Sequence, residues 1–232
     1  MAMMTSMDTA ADTSAQRDVR TELLHAAVGL LDDHGPDALQ TRKVAGAAGT
    51  STMAVYTHFG GMRALIAAVA QEGLRQFDAA LAVAPTEDPV ADLLRCGAAY
   101  RRFAIDRPHL YRLTFGSTSA HGIHAPARNV LGLRVAEINE QHPSLAHVVR
   151  HVHRAMTAGR ITAGSPDDDA IVLTIASQFW TMIHGFVMLE LAGYYGDAAF
   201  GPVLGALASN TLLSLGDDAE ALAASQAAAA DY

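Results

Sequence analysis

Cysteine, lysine and aromatic residues are scarce in this chain, and each scarcity closes off a class of protein. One cysteine in 232 residues, Cys96, leaves no intrachain disulfide framework and no cysteine-rich metal site, which suits a reducing cytosol. No lysine, histidine or second thiol stands beside it to lower its pKa, so Cys96 reads as a small buried hydrophobe. Aromatic residues make up only 6% of the chain, and no strand-like alternation runs between Gly/Asn turns, which argues against sheets. Met1 to Gln16 lacks both the basic and the apolar region of an export signal and reads as a disordered arm. The longest uncharged runs are broken by polar residues and rich in Ala and Gly, against a membrane span. Gly-x-Ser-x-Gly, a phosphate loop, His-Glu-x-x-His and paired catalytic carboxylates are all missing, so neither an enzyme nor a cofactor is expected.

What is abundant is Ala, within a 50% hydrophobic composition that supports a sizeable core and points to an all-α fold. From Arg17, the residues Val19, Leu23, Ala27, Leu30 and Leu31 form one helical stripe that stops at Gly35-Pro36. A short helix follows, capped by Thr41 and burying Val44, Ala45 and Ala48; then come a turn at Gly49 and a second short helix over Thr52–Phe59, ended by Gly60-Gly61. Two short helices about a Gly-containing turn make a helix-turn-helix. A longer helix carries Ile66, Ala70, Leu74, Phe77 and Leu81 to Pro85, and Asp88-Pro89 caps another with Leu93, Gly97, Tyr100 and Ala104 inward. Ser117 to Pro126 reads as a loop, with core helices expected at Ala127–Ile138 and Leu145–Met156. Ser165 followed by Pro166 signals the start of a helix that is apolar almost all round from Ala170 to Ala192, and a last stripe runs through Phe200, Leu204, Leu207, Thr211 and Leu215. An all-round apolar helix needs burial on two sides, so these last two helices are expected to form a homodimer interface. The tail, residues 217–232, is Ala-rich and expected to be frayed.

The formal charge is −8, from 16 Lys+Arg against 24 Asp+Glu, but it is unevenly spread. Between Asp37 and Glu72 there is no acid, while Arg42, Arg63 and the chain's only lysine, Lys43, lie there, which suits approach to phosphates. Thr and Ser hydroxyls and the Tyr56 hydroxyl suit phosphates and base edges, and Met53 suits a thymine methyl. With no Arg or Asn on the second short helix, Arg42 is the best candidate for a guanine. Tyr100, Tyr111, Trp180 and His184 are too many polar aromatics for a plain aliphatic core. Together with Phe103, Phe115, Met182 and Met188 as apolar walls, they read as a ligand cavity. His147 and His151, four apart with His153 and His142 nearby, have metal-ligand spacing, but without a third carboxylate or thiol the expectation is a solvated pair and no metal.

The run Leu39-Gln40-Thr41-Arg42-Lys43-Val44-Ala45, Ala48-Gly49-Thr50-Ser51, Val55-Tyr56-Thr57-His58-Phe59 and Leu65 resembles the DNA-binding domain of the TetR family of bacterial transcriptional regulators. Trp180, His184-Gly185 and Leu189 to Gly193, with Arg102-Phe103-Ala104, Pro108, Tyr111-Arg112-Leu113 and Phe115, resemble the ligand domain of its Trp-His-Gly subgroup. The resemblance implies DNA contacts by Thr41, Arg42, Ser51, Thr52, Met53, Tyr56, Thr57 and His58. Met62 stands where the family usually has a phosphate-contacting lysine, which leaves Arg63 as its substitute. It also implies ligand contacts by Tyr100, Phe103, Tyr111, Phe115, Trp180, His184 and Met188. The expected organisation is an arm (1–16), a three-helix helix-turn-helix domain (17–62), a larger ligand-binding and dimerisation domain (63–216) and a flexible tail. The expected function is a cytoplasmic homodimeric repressor on an inverted-repeat operator, released by a small apolar or aromatic effector. The alternatives are an activator, a ligand-independent regulator of the same fold, or a small helical enzyme.

Overall fold

The computed structural model describes residues 5–115 and 130–230, with side-chain surroundings from Asp18 onward. The segment expected to be a loop, residues 117–126, lies outside the described residues. All the regular elements described are helical. The chain forms two compact units, Met1–Arg75 with Arg107–Pro126, and Gln76–Asp106 with Ala127–Tyr232.

In the first unit, α1 (Thr5–His34) begins well before Arg17. The residues read as a disordered arm continue the helix instead, because no Gly or Pro between Thr5 and Arg17 stops it. Leu23, Ala27 and Leu31 are its buried stripe, and Gly35 closes it at φ 75°, where a side chain would press on the His109 imidazole. Gln40, extended at φ −118° and ψ 140°, is the N-cap of α2 (Thr41–Ala47). Thr41 is therefore the first helical residue rather than the cap. Val44 and Ala45 are buried beneath it, while Ala48 becomes the half-exposed C-cap. Gly49 turns the chain at φ 63° into α3 (Thr52–Phe59), and Gly60 stops that helix in the left-handed region at φ 74°. Next comes α4 (Met62–Leu81), whose residues to Arg75 belong to this unit and whose later ones belong to the second. The short α6 (Pro108–Thr114) also belongs here: Arg107 Nε donates to Asp32 Oδ2 of α1 at 3.0 Å, and Thr114 and Leu110 lie against Gly73 of α4.

The second unit holds α5 (Pro89–Asp106), whose first turn is capped as expected: Asp88 Oδ1 accepts from the Val90 and Ala91 amides at 2.9 and 3.0 Å. The helix expected from Ala127 is a single 3₁₀ turn, Val130–Gly132, followed by α7 (Val135–Gln141), Gly132 interrupting the pattern. Leu145, Val149, Val152 and Met156 form the buried stripe of α8 (Pro143–Thr157). Asp168, not Ser165, caps α9 (Asp169–Leu191), accepting from the Ala170 and Ile171 amides; Ser165 makes the preceding turn, its carbonyl accepting from the Asp168 amide at 3.1 Å.

By length and composition alone α9 is apolar enough to cross a membrane, yet here Val172, Leu173, Ala176, Phe179, Ile183 and Val187 are buried in the helical core. Its burial is one-sided within the protomer. Thr174, Gln178, Thr181, Gly185 and Leu189 form an exposed stripe at helical spacing. A π-helical segment, Phe200–Gly205, leads into α10 (Ala206–Ser214), which exposes Leu207 and Leu213. The expected frayed tail is instead α11 (Ala219–Ala230). Its high Ala content favours the helix, and Leu222 and Ser225, three apart, anchor it: the Ser225 hydroxyl donates to Asp88 Oδ2 at 2.6 Å, and Arg160 joins Ser225 to Asp217.

Candidate DNA interface and effector site

The three helices at the start of the first unit pack around Val44, Val55, Leu23 and Leu65, which leaves the outward side of α3 to solvent. Met53 is 68% and Tyr56 55% exposed, a large apolar and aromatic surface for so short a helix. Ser51, Thr52 and Thr57 are exposed beside them, and His58 is half-buried. The Thr57 hydroxyl donates back to the Met53 carbonyl at 3.1 Å, so its methyl faces outward. Arg42 and Lys43 are exposed on the first turn of α2, and Thr41 is half-exposed. At the start of α4, Arg63 is exposed while Met62 is half-buried. Val55 fills the core as expected, whereas Ala54 and Phe59 are only partly covered.

Arg20 of α1 was not among the expected residues. Its guanidinium carbon lies 4.7 Å from the centre of the Phe59 ring. Only the packing of α1 on α3 reveals this, since 39 positions separate the two residues.

In the second unit Tyr100, Phe103, Trp180 and His184 come together around Phe77. The Phe77 ring is 4.8 Å from Tyr100 and 5.2 Å from Phe103, and Tyr100 meets Trp180 edge to face at 5.3 Å. Tyr100 Oη and His184 Nδ1 share a hydrogen bond of 2.9 Å. Burial pushes the His184 pKa down, so this dyad is neutral at pH 7. Trp180, His184, Met182 and Met188 are half-buried, unlike Tyr100 and Phe77, which are fully buried. Tyr111 and Phe115 belong to the first unit, where their rings pack 4.8 Å apart.

Beside Tyr100, Arg101 grips the buried Glu190 of α9 through two donors (Nε to Oε2 at 2.9 Å, Nη2 to Oε1 at 2.5 Å), reaches Asp197 at 2.9 Å and lies over the Phe200 ring. Glu190 is the sequence signal for this clamp: an acid in an apolar helix needs a partner.

The histidines of α8 are not a solvated pair. His147 Nε2 donates to Asp78 Oδ1 at 2.9 Å, while His151 is buried, has no hydrogen-bond partner among the described residues and is pushed down to about 4, chiefly by burial. Cys96 is buried, and burial pushes its thiol up to about 12.

Residues 23–69 match the family of bacterial regulatory proteins named for tetR, and residues 93–212 match a tetracyclin repressor-like C-terminal domain. The fold resembles a protein of unknown function from Rhodococcus sp. RHA1, with 28% identity over 85% of this chain and 95% of that one, TM-score 0.65. It also resembles SCO4313, a candidate regulatory protein, with 26% identity over 88% and 97%, TM-score 0.58. RolR in complex with resorcinol shares the fold at 15% identity over 92% and 95%, TM-score 0.58. Among curated proteins none matches the sequence.

Proposed function

This chain belongs to the tetR family of bacterial regulatory proteins, and on that premise we propose that it is a homodimeric repressor whose hold on DNA is released by a small apolar or aromatic effector. The observation that carries the reading is the outward side of α3: Met53, Tyr56, Ser51, Thr52 and Thr57 stand free of the core in a stretch without a single acid. Arg42 and Tyr56 are the main anchors, one charged and one hydroxyl, while Thr41, His58 and Arg63 lie within the same segment. Two recognition helices, one per protomer, then need to fit successive major grooves, about 34–36 Å apart.

The exposed stripe of α9, with Leu207 and Leu213 of α10, supports the dimer. Leu189 and Leu213 are each 42% exposed and Leu207 47%, apolar surface that a second copy would take out of water. The effector site is built on Tyr100, Phe103, Trp180, His184 and Met188. A neutral Tyr100–His184 dyad among rings offers one polar handle and no charge, which favours an uncharged aromatic or apolar molecule. RolR, of the same fold, was solved with resorcinol, a precedent for a small aromatic ligand in this architecture. Release of DNA requires the effector to prefer one conformation by only about 1–3 kcal/mol, a 5–150-fold change in DNA affinity.

The test screens apolar and aromatic metabolites for loss of the protein–DNA complex in a mobility-shift assay and repeats it with Trp180→Ala and His184→Ala. The reading expects at least one active compound whose potency falls in both variants. An effector that acts equally on both folded, DNA-binding variants would overturn this site.

A further inference from the structure

We propose that Arg20 is a phosphate-binding residue of the DNA interface, held in place by the ring of Phe59. The proposal rests on the DNA-binding reading above. Phe59 lies one turn beyond Tyr56 on α3, so a cation over its ring stands next to the exposed row that begins at Met53.

Three further features favour a phosphate. Arg20 is exposed, and a cation over a ring is held by its charge, so its in-plane N–H donors remain free for an anion. No acid on its own helix neutralises it. The residues three and four away are Gln16, Arg17, Leu23 and Leu24, while Asp18 and Glu22, two away, point elsewhere. The ring also limits where the guanidinium can go, so less side-chain freedom is lost when a phosphate arrives than for an unrestrained arginine. Because α1 and α3 are packed in one unit, this positive charge moves rigidly with the recognition helix. Arg20 therefore adds a contact at the end of α3 opposite to Arg42, so that each half-site is gripped on both sides of the bases α3 faces.

The probe is a duplex recovered by selection from random-sequence DNA on the wild-type protein, with affinity measured between 50 and 300 mM salt. Arg20→Ala and Arg20→Gln should weaken binding roughly tenfold, the loss of a charge-assisted hydrogen bond. They should also make log K against log salt shallower by about 0.9 per half-site, close to 2 for a dimer on two half-sites. Arg20→Lys, which keeps the charge, should restore most of the slope. A merely structural role for Arg20 would shift thermal stability and leave the slope at its wild-type value; that outcome in both variants overturns the proposal while the DNA-binding reading stands. If the wild-type protein enriches no duplex, the DNA-binding reading itself fails, and this proposal with it.

Discussion

Gly73 is the position in the first unit where a single methyl group has the most calculable effect. It sits mid-way along α4, buried, and a Cβ there would overlap Thr114 Oγ1 and stand 3.0 and 3.2 Å from the Cδ1 and Cγ atoms of Leu110. Ala is better than Gly in a helix interior by about 1 kcal/mol, so propensity alone favours the substitution. Overpacking opposes it at about 1–3 kcal/mol, and here overpacking wins: Thr114 is fully buried, and its hydroxyl is held by a 2.8 Å bond to the Leu110 carbonyl, so it has no open direction in which to retreat. Gly73→Ala should therefore destabilise the protein by about 1–2 kcal/mol. Thr114→Ala alone leaves a small void and costs about 1 kcal/mol. The double variant, with one methyl filling the space the other vacates, should be more stable than the sum of the two by at least about 1 kcal/mol. Urea denaturation followed by circular dichroism, at one fixed protomer concentration because assembly contributes to stability, measures all four proteins. A Gly73→Ala protein as stable as the wild type, or an additive cycle, would refute the reasoning.

Leu207→Glu places a carboxylate on α10 that two-fold symmetry duplicates, and the variant should sediment as a monomer or be insoluble; a soluble dimer moves the interface off this face. Asp92 is fully buried: burial acts to raise its pKa but is outweighed by the Thr86 amide and by hydrogen bonds from Arg154, Thr86 and Arg95, leaving it at about 2 against 3.8. A folded pKa below the unfolded one stabilises above pH 3.8 and loses that contribution as pH falls towards 2, so about 2.5 kcal/mol should disappear over that window. Asp92→Asn should be less stable at pH 7 and should flatten the acid limb of the stability curve; an unchanged limb would place the acid sensitivity on another group.

The helices that form the core were legible because their apolar spacing is strong. Leu145, Val149, Val152 and Met156 are all buried, and Asp88 caps α5 as its sequence position implies. The ends of elements were less legible. Ser165-Pro166 and Asp168-Asp169 are competing start signals within four residues, and only the backbone shows that Asp168 accepts the first amides. The Ala-rich tail looks unstructured because its anchors are two residues, Leu222 and Ser225, and Ser225 finds its partner Asp88 from 137 positions away. In the site, Tyr100 and His184 follow from their chemistry, whereas Phe77, the ring at the centre of the cluster, reads in sequence as an ordinary stripe residue of α4. Arg20 and Arg101 act through contacts distant in the chain, a kind of information that local periodicity does not carry.

The most direct test of the central claim is selection of sheared genomic DNA from the source organism on the purified protein, followed by sequencing and repetition with an Arg42→Ala, Tyr56→Phe variant. The account predicts enrichment of an inverted repeat with half-site centres one helical turn, about 34–36 Å, or a multiple of it apart, bound by dimers. It predicts loss of that enrichment in a variant that still folds, since both side chains are exposed. No enriched sequence, or an enrichment that survives both substitutions, would contradict it.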